Sequence, residues 1–255
     1  MKNSITPKSF EEVSLVVLPK GRNDYLGLTS YVETAKAISR ASHQCVYIFD
    51  YYKQNFLYLP DNSMFLCGKK APKVKEQGFN FFIDHVPENE VKMLVKINKV
   101  GFEFFNSLGV EDKFLHTISY NFHLRQSKGE YILVNHKLTP IKVDEFNNIW
   151  LAMGLVTMAS DTSIGNVEIM KTGTNQIYQY DFDNEKWELK NGLQLSSRER
   201  EILFLTAQGL TNKQISENIH LSETTIKFHK SKLFKKMGVN NIAEAFVYIT
   251  NYLKL

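Results

Sequence analysis

Leu221–Val239 reads LSETTIKFHKSKLFKKMGV. A serine before a run of helix formers and a glycine after it predict one helix, capped by Ser222 and stopped by Gly238. Five lysines fall within the ten residues Lys227 to Lys236, and Phe228 stands directly beside Lys227. At about 100° per residue, Ile226, Leu233 and Met237 share a narrow arc, with His229 at its border and Lys230 beside it. That arc must face a core. The opposite arc carries Thr224, Lys227, Phe228, Ser231, Lys232 and Lys235, so Phe228 is not simple core filling. Two readings of this face stay open on the arc alone. It is either a solvated lysine surface with one stray aromatic, or a surface shaped for the DNA major groove. In a groove, lysines neutralise phosphates or reach guanine O6/N7, and an apolar group lies against a thymine methyl. Ser222 and the exposed helix N-terminus would add donors for a phosphate.

Outward from this helix, caps divide the C-terminal stretch. Ser196 with Glu199 forms a capping box opening REREILFLTAQ, which Gly209 stops. Thr211 with Gln214 opens NKQISENI, and Asn241 with Glu244 opens IAEAFVYITNYLKL. Four helices follow, and the short link between the second and third fits a helix-turn-helix. The stretch LSSREREILFLTAQGLTNKQISENIHLSETTIKFHKSKLFKKMGVNNIAEA resembles the LuxR/FixJ (GerE-type) DNA-binding domain, and the resemblance runs from Leu195 to about Leu255. Leu195, Arg198–Glu201 and Leu203 match its first helix; Gly209, Asn212, Ile215 and Ser216 its second. Leu221, Ser222, Thr225–Lys227, His229, Leu233, Lys236–Val239, Asn241 and Ala245 match the rest. The resemblance implies that the third helix enters the major groove of double-stranded DNA. Lys227, Phe228 and Ser231 then meet base edges. Ser222, Thr225 and the later lysines, Lys232 and Lys235 among them, lie toward phosphates, and Thr211 and Thr224 join them as DNA-binding residues. Leu203, Ile215, Ile226, Leu233, Met237 and Val239 form the small core. The fourth helix, with Ala245, Phe246, Ile249, Tyr252 and Leu253, supplies a homodimer contact. Ser231 stands where some members have a long basic side chain, and Ile242 where many have arginine.

Charge supports the same division. The chain of 255 residues has a net charge of +4. Residues 190–255 hold ten Lys/Arg against five Asp/Glu, and residues 1–189 hold twenty-one against twenty-two, so the basic excess lies wholly in the last quarter. That asymmetry raises the expectation of a nucleic-acid partner there. Cys45 and Cys67 form no CxxC and suit a reducing cytosol as buried apolar side chains. The N-terminus has acids where a signal peptide has its apolar run. The longest apolar run, IWLAMGLVTMA, is far below the ~20 residues of a membrane helix. The expectation is a cytoplasmic protein with no membrane partner.

Before Asn191–Gly192, period-two segments dominate. YVETAKAISRAS (31–42) reads as a helix, and VYIFDYY and NFLYLP as a hairpin about Lys53–Gln54. PENEVKMLVKINKVGFEFFNSLG is a long helix opened by Pro87 and stopped by Gly109. Strands follow in FLHTISYNFHLR, YILVNHKLTPIKV and IWLAMGLVTMA, turning at Lys128–Gly129 and Asn147–Asn148. A further hairpin, NVEIMKTG with QIYQYDF…KWEL, leads to the last part. The order is α+β. Residues 31–160 resemble the PAS sensor fold through the first hairpin, HVPENE opening the long helix, and the three final strands. The expected organisation is an N-terminal segment (1–30), a PAS-like sensor domain (31–163), a β-hairpin linker (164–192) and a helix-turn-helix domain (193–255). The fold class is α+β, an antiparallel sheet with flanking helices followed by an all-α four-helix domain.

The sensor part carries no legible cofactor set. Cys67 in MFLCGKK does not match the Asn-Cys-Arg-Phe phrase of flavin-binding PAS domains. The long helix has no histidine for haem, since His85 precedes it. His116, His123 and His136 read as hydrogen-bonded structure rather than metal ligands. There is no phosphate loop, no GxSxG elbow and no receiver-type acidic pocket, which argues against an enzyme and against phosphorylation input. Aromatics in GFNFFIDHV and GFEFF either fill core or line a pocket for a small apolar or aromatic ligand. The chain therefore reads as a bacterial transcription regulator, with RNA polymerase a further partner. The alternative is a PAS-like part that is a ligand-free interaction or dimerisation module. An enzyme or photosensor with a DNA-binding tail is the third reading.

Overall fold

The structure, a computed structural model, describes residues 25–61, 64–159 and 163–245. It divides into two compact units between Lys190 and Asn191. The first unit is built on an eight-stranded sheet. β1 (Cys45–Asp50), β2 (Asn55–Tyr58), β3 (His116–Arg125), β4 (Tyr131–Val143), β5 (Ile149–Met158), β6 (Gly165–Lys171), β7 (Gln176–Asp181) and β8 (Lys186–Asn191) lie in the order β2-β1-β5-β4-β3-β6-β7-β8. Neighbours from β2 through β7 run antiparallel.

Every residue of β1 is buried because both faces of the sheet are covered. Successive side chains point to opposite faces. Cys45, Tyr47 and Phe49 join one core, whereas Val46 and Ile48 join the other with Leu28, Ala35, Trp150 and Leu151. Helix α1 (Thr29–Ser42) covers that second face. The first face carries the short helices α2 (Ala71–Gln77) and α3 (Asn80–His85) and the long α4 (Glu88–Asn106). Val91, Leu94, Ile97, Val100 and Phe105 of α4 are buried against strand residues such as Ile118, Tyr120 and Leu138.

Two readings change. Strand β3 begins at His116, because Val110–Leu115 forms a further helix, α5, that takes in Phe114 and Leu115. Gly109 opens α5 as well as following α4, and Glu111 and Asp112 occupy its first turn, where the helix dipole favours acids. Residues 164–192, expected as a linker hairpin, extend the sheet instead. β6 pairs with β3, placing Ile118 opposite Ile169, and β7 and β8 continue outward. Trp187 and Tyr178 set their rings against Phe104 of α4 at 5.3 and 5.0 Å, so this segment belongs to the first unit's core.

In the second unit α6 (Ser197–Ala207), α7 (Asn212–Ile219) and α8 (Glu223–Met237) enclose two small cores. A further helix opens at Ile242. Its cap is not a simple box. Asn241 Oδ1 accepts from the Glu244 N–H at 2.9 Å, but the Glu244 carboxylate takes the Asn240 N–H at 2.7 Å. Of the residues expected at a dimer contact, Ala245 is buried in the domain core, whereas Phe246, Ile249, Tyr252 and Leu253 lie outside the described residues.

Candidate nucleic-acid interface

Caps fix where each helix begins. Ser196 Oγ accepts the Glu199 N–H at 3.2 Å, and Glu199 Oε2 accepts the Ser196 N–H at 2.8 Å. That backbone bond, with Lys236 and Ser196 helping, holds the Glu199 carboxyl below the ordinary glutamate value. Thr211 and Gln214 repeat the arrangement at α7, and Thr225 donates its N–H to Ser222 Oγ at 3.1 Å at α8. Between α7 and α8 the chain turns through His220 at φ 54°, in the left-handed region. Arg198 of α6 closes the corner by donating to the Ile219 carbonyl at 2.6 Å.

The hydrophobic side of α8 is narrow. Ile226, Leu233 and Met237 are buried. Leu203 and Ile215 are buried with them and Val239 packs against the same core, so the six expected core residues come together in two adjoining clusters. On the other side Thr224, Lys227, Phe228, Ser231, Lys232 and Lys235 are all exposed, Phe228 by 65% of its surface. They span an arc of about 140° at 100° per residue. Lys227, Lys232 and Lys235 make no hydrogen bond or ion pair with another described residue. Among the described residues, the one aromatic neighbour of the Phe228 ring is His229, edge-on with ring centroids 6.0 Å apart. Thr211 is exposed at the head of α7, and its hydroxyl donates to Gln214 Oε1 at 3.0 Å. Ser222 and Thr225 share one hydrogen bond between their hydroxyls at 2.8 Å, which leaves one O–H of the pair for an outside acceptor.

Two further lysines of α8 lie outside this exposed, unpaired set. Lys230 reaches inward to Asn212 Oδ1 at 3.1 Å, and partial burial lowers its pKa. Lys236 donates to the Gln194 carbonyl and to Glu199 Oε2, tying the end of α8 to the start of α6. A helical wheel gives side-chain direction, not reach, and a lysine stem can fold back over a neighbour. The wheel position of Lys230 beside the core arc already set it apart from the exposed lysines, whereas for Lys236 the signal lay in its acceptor Glu199.

Residues 193–249 match the GerE model, described as bacterial regulatory proteins of the luxR family. This segment is a luxR-family domain. The nitrate/nitrite response regulator protein NarL of Escherichia coli is 45% identical over 56 residues, which are 22% of this chain and 26% of NarL. The DNA-binding transcriptional activator DevR/DosR of Mycobacterium tuberculosis is 41% identical over 56 residues, covering the same shares. The chain thus matches about a quarter of the length of these regulators. A solved VqmA dimer of Vibrio cholerae, free of target DNA, is 16% identical, with 86% of this chain and 87% of that one aligned at a TM-score of 0.36. In the luxR-family domain, the exposed arc of α8 is the face of the helix that follows the turn.

The first unit places its histidines in polar pairs. His116 meets the Asp112 carbonyl at 2.6 Å, and His123 meets Glu90 through both its ring and its backbone N–H, at 2.8 and 2.7 Å. His136 sits between the hydroxyls of Tyr47 and Tyr120. Cys45 and Cys67 are buried, and burial pushes the Cys67 thiol up to about 11. Among the described residues no cluster of His, Cys, Asp or Glu could hold a metal, and no helix is long and apolar enough to cross a membrane.

Proposed function

We propose that this chain is a bacterial transcription regulator acting in the cytoplasm. Its luxR-family domain lays α8 in the major groove of a specific duplex, and its PAS-like first unit receives a signal. One observation carries the reading: on α8, Lys227, Lys232 and Lys235 stay exposed and unpaired among the described residues around Phe228, while Lys230 is held by Asn212 and Lys236 by Gln194 and Glu199. Such sorting leaves a cationic surface with an apolar centre, suited to phosphates flanking a thymine methyl. Lys227, Phe228 and Ser231 read bases; Thr211, Ser222, Thr224, Thr225, Lys232 and Lys235 position the helix on the backbone. A homodimer through the helix opening at Ile242 would present two such helices to half-sites about 34–36 Å apart. RNA polymerase is the natural further partner of a regulator bound beside a promoter.

Selection of bound sequences from random duplex DNA with the full-length protein tests this. Recovery of a two-half-site consensus is the expected result; no enrichment over random sequence refutes it.

The signal of the first unit is read as a small, mostly apolar molecule held without flavin, haem or metal. A second reading is a ligand-free interaction module, favoured by how densely rings fill this core. Phe65 alone lies against Tyr47, Phe56, Phe81 and Phe82 at 5.3–6.2 Å. Native mass spectrometry of the purified protein separates the two, since a co-purifying small molecule excludes the ligand-free form.

A further inference from the structure

Two adjoining cavities of about 30 Å³ each lie between α4 and the sheet of the first unit, and both are lined by Tyr51, Asn98, Tyr120 and Leu138. Together they offer the space of about four waters, or on the order of four to eight non-hydrogen atoms. Leu94, Ile97, Phe102, Phe122 and Ile149 make most of the wall apolar.

The polar part is a fixed group of three side chains. His136 Nε2 meets the Tyr47 hydroxyl, and His136 Nδ1 meets the Tyr120 hydroxyl at 2.7 Å. All three residues are at least 95% buried. Burial keeps His136 neutral, its pKa lowered to about 3. The three groups then own three acidic protons: two phenolic O–H and one imidazole N–H. Their two hydrogen bonds use two of them. One tautomer leaves the Tyr120 O–H without an acceptor, and the other leaves the Tyr47 O–H; both residues line the second cavity. No arrangement of a neutral imidazole satisfies all three. A buried donor left unmatched costs about 1–3 kcal/mol. The site is also built around Tyr47. Gly154 of β5 lies beneath that ring, and a Cβ there would come within 2.1 Å of Tyr47 Cζ. Nearby, Asn98 donates to the Leu94 carbonyl at 3.1 Å, which leaves its Oδ1 facing no donor among the described residues.

We propose that these cavities bind an uncharged molecule about one ring in size, whose hydrogen-bond acceptor takes the spare proton of the Tyr47–His136–Tyr120 group. This rests on the sensor reading above and names the ligand class of that sensor. A carboxylate is excluded by the cost of stripping its water in an apolar pocket that holds no cation. A pure hydrocarbon fills the space but leaves the donor unmatched.

The test uses cyclohexanone, toluene and benzoate with the purified full-length protein, by calorimetry and thermal shift. Toluene leaves water more readily than the ketone, so a merely greasy cavity ranks toluene first. The expected result is the reverse order. Cyclohexanone binds at least about fivefold more tightly than toluene, as one net hydrogen bond of about 1 kcal/mol requires, and benzoate does not bind. Because any member left alone keeps one unmatched proton, the triple variant Tyr47→Phe/Tyr120→Phe/His136→Leu should restore the toluene preference. Toluene ranking first in the natural protein overturns the donor assignment while leaving a ligand-binding sensor standing. Benzoate binding overturns the neutral class. Binding of none of the three at millimolar concentration overturns this ligand class, while the sensor reading stands or falls by the native mass spectrometry above. Nitrogen-15 spectra of the imidazoles give a readout independent of ligand: a charged His136 at pH 7 would break the proton tally.

Discussion

Lys232 and Lys236 sit four residues apart on one helix and do opposite things. Lys232 meets no described partner, whereas Lys236 holds the Gln194 carbonyl and the Glu199 carboxylate. Replacing each by alanine should therefore separate recognition from stability. Lys227→Ala should relax base preference at one position by about 1–3 kcal/mol of discrimination, whereas Lys235→Ala should weaken all duplexes alike and flatten the salt slope by about one unit. Anisotropy titrations across a salt series, on the selected operator and on random DNA, check both. Equal loss on both duplexes for both variants would contradict the division of roles. Lys236→Ala should leave the salt slope unchanged and destabilise the C-terminal unit by about 1 kcal/mol, for a partly exposed pair with one carbonyl bond, seen as a lower melting temperature.

At the scale of elements, the least forgiving position is Gly154 in β5. It pairs with Tyr47 across the ladder and with Leu138 on its other side. A methyl at Gly154 has no space, since the contact would be with the ring itself. Gly154→Ala should destabilise the first unit by about 1–3 kcal/mol through overpacking, and denaturant unfolding should show it as a lower midpoint at unchanged slope. Nothing in the sequence around Gly154 announces this, because the constraint comes from a ring more than a hundred residues away. The same limit explains what sequence did and did not disclose elsewhere. Helix starts in the second unit were legible because Ser196, Thr211 and Ser222 act within three residues of themselves. The partner of β6 was not, because a hairpin's own pattern says nothing about the free edge of β3 that it joins. The anchoring of Lys236 was hidden for a related reason: its acceptors lie outside its own helix. The proton tally at His136 needed three strands brought together before it could be counted.

For the whole molecule, the two units respond to acid through different groups. In the first unit His136 titrates near 3 when folded against an ordinary 6.5, because burial disfavours its charged form. A depressed histidine gives stability that is full above about pH 6.5 and is lost as pH falls toward 3, at up to about 1.4 kcal/mol per pH unit. His85 is shifted in the same direction, also by burial. In the second unit Glu199 is held below its ordinary 4.5, chiefly by the Ser196 backbone N–H. Its contribution is intact above about 4.5 and fades only as pH drops through the lowered value. Calorimetry of the full chain should then resolve two transitions that move in different windows. One should begin to fall at about pH 6.5 and go on falling toward 3, and the other, carried by Glu199, should begin to fall only below about 4.5. Substituting His136→Gln keeps a neutral partner for both tyrosines and removes most, not all, of the first slope, since His85 remains. A single cooperative transition falling in step with pH across both windows would show that the two units do not unfold as separate bodies.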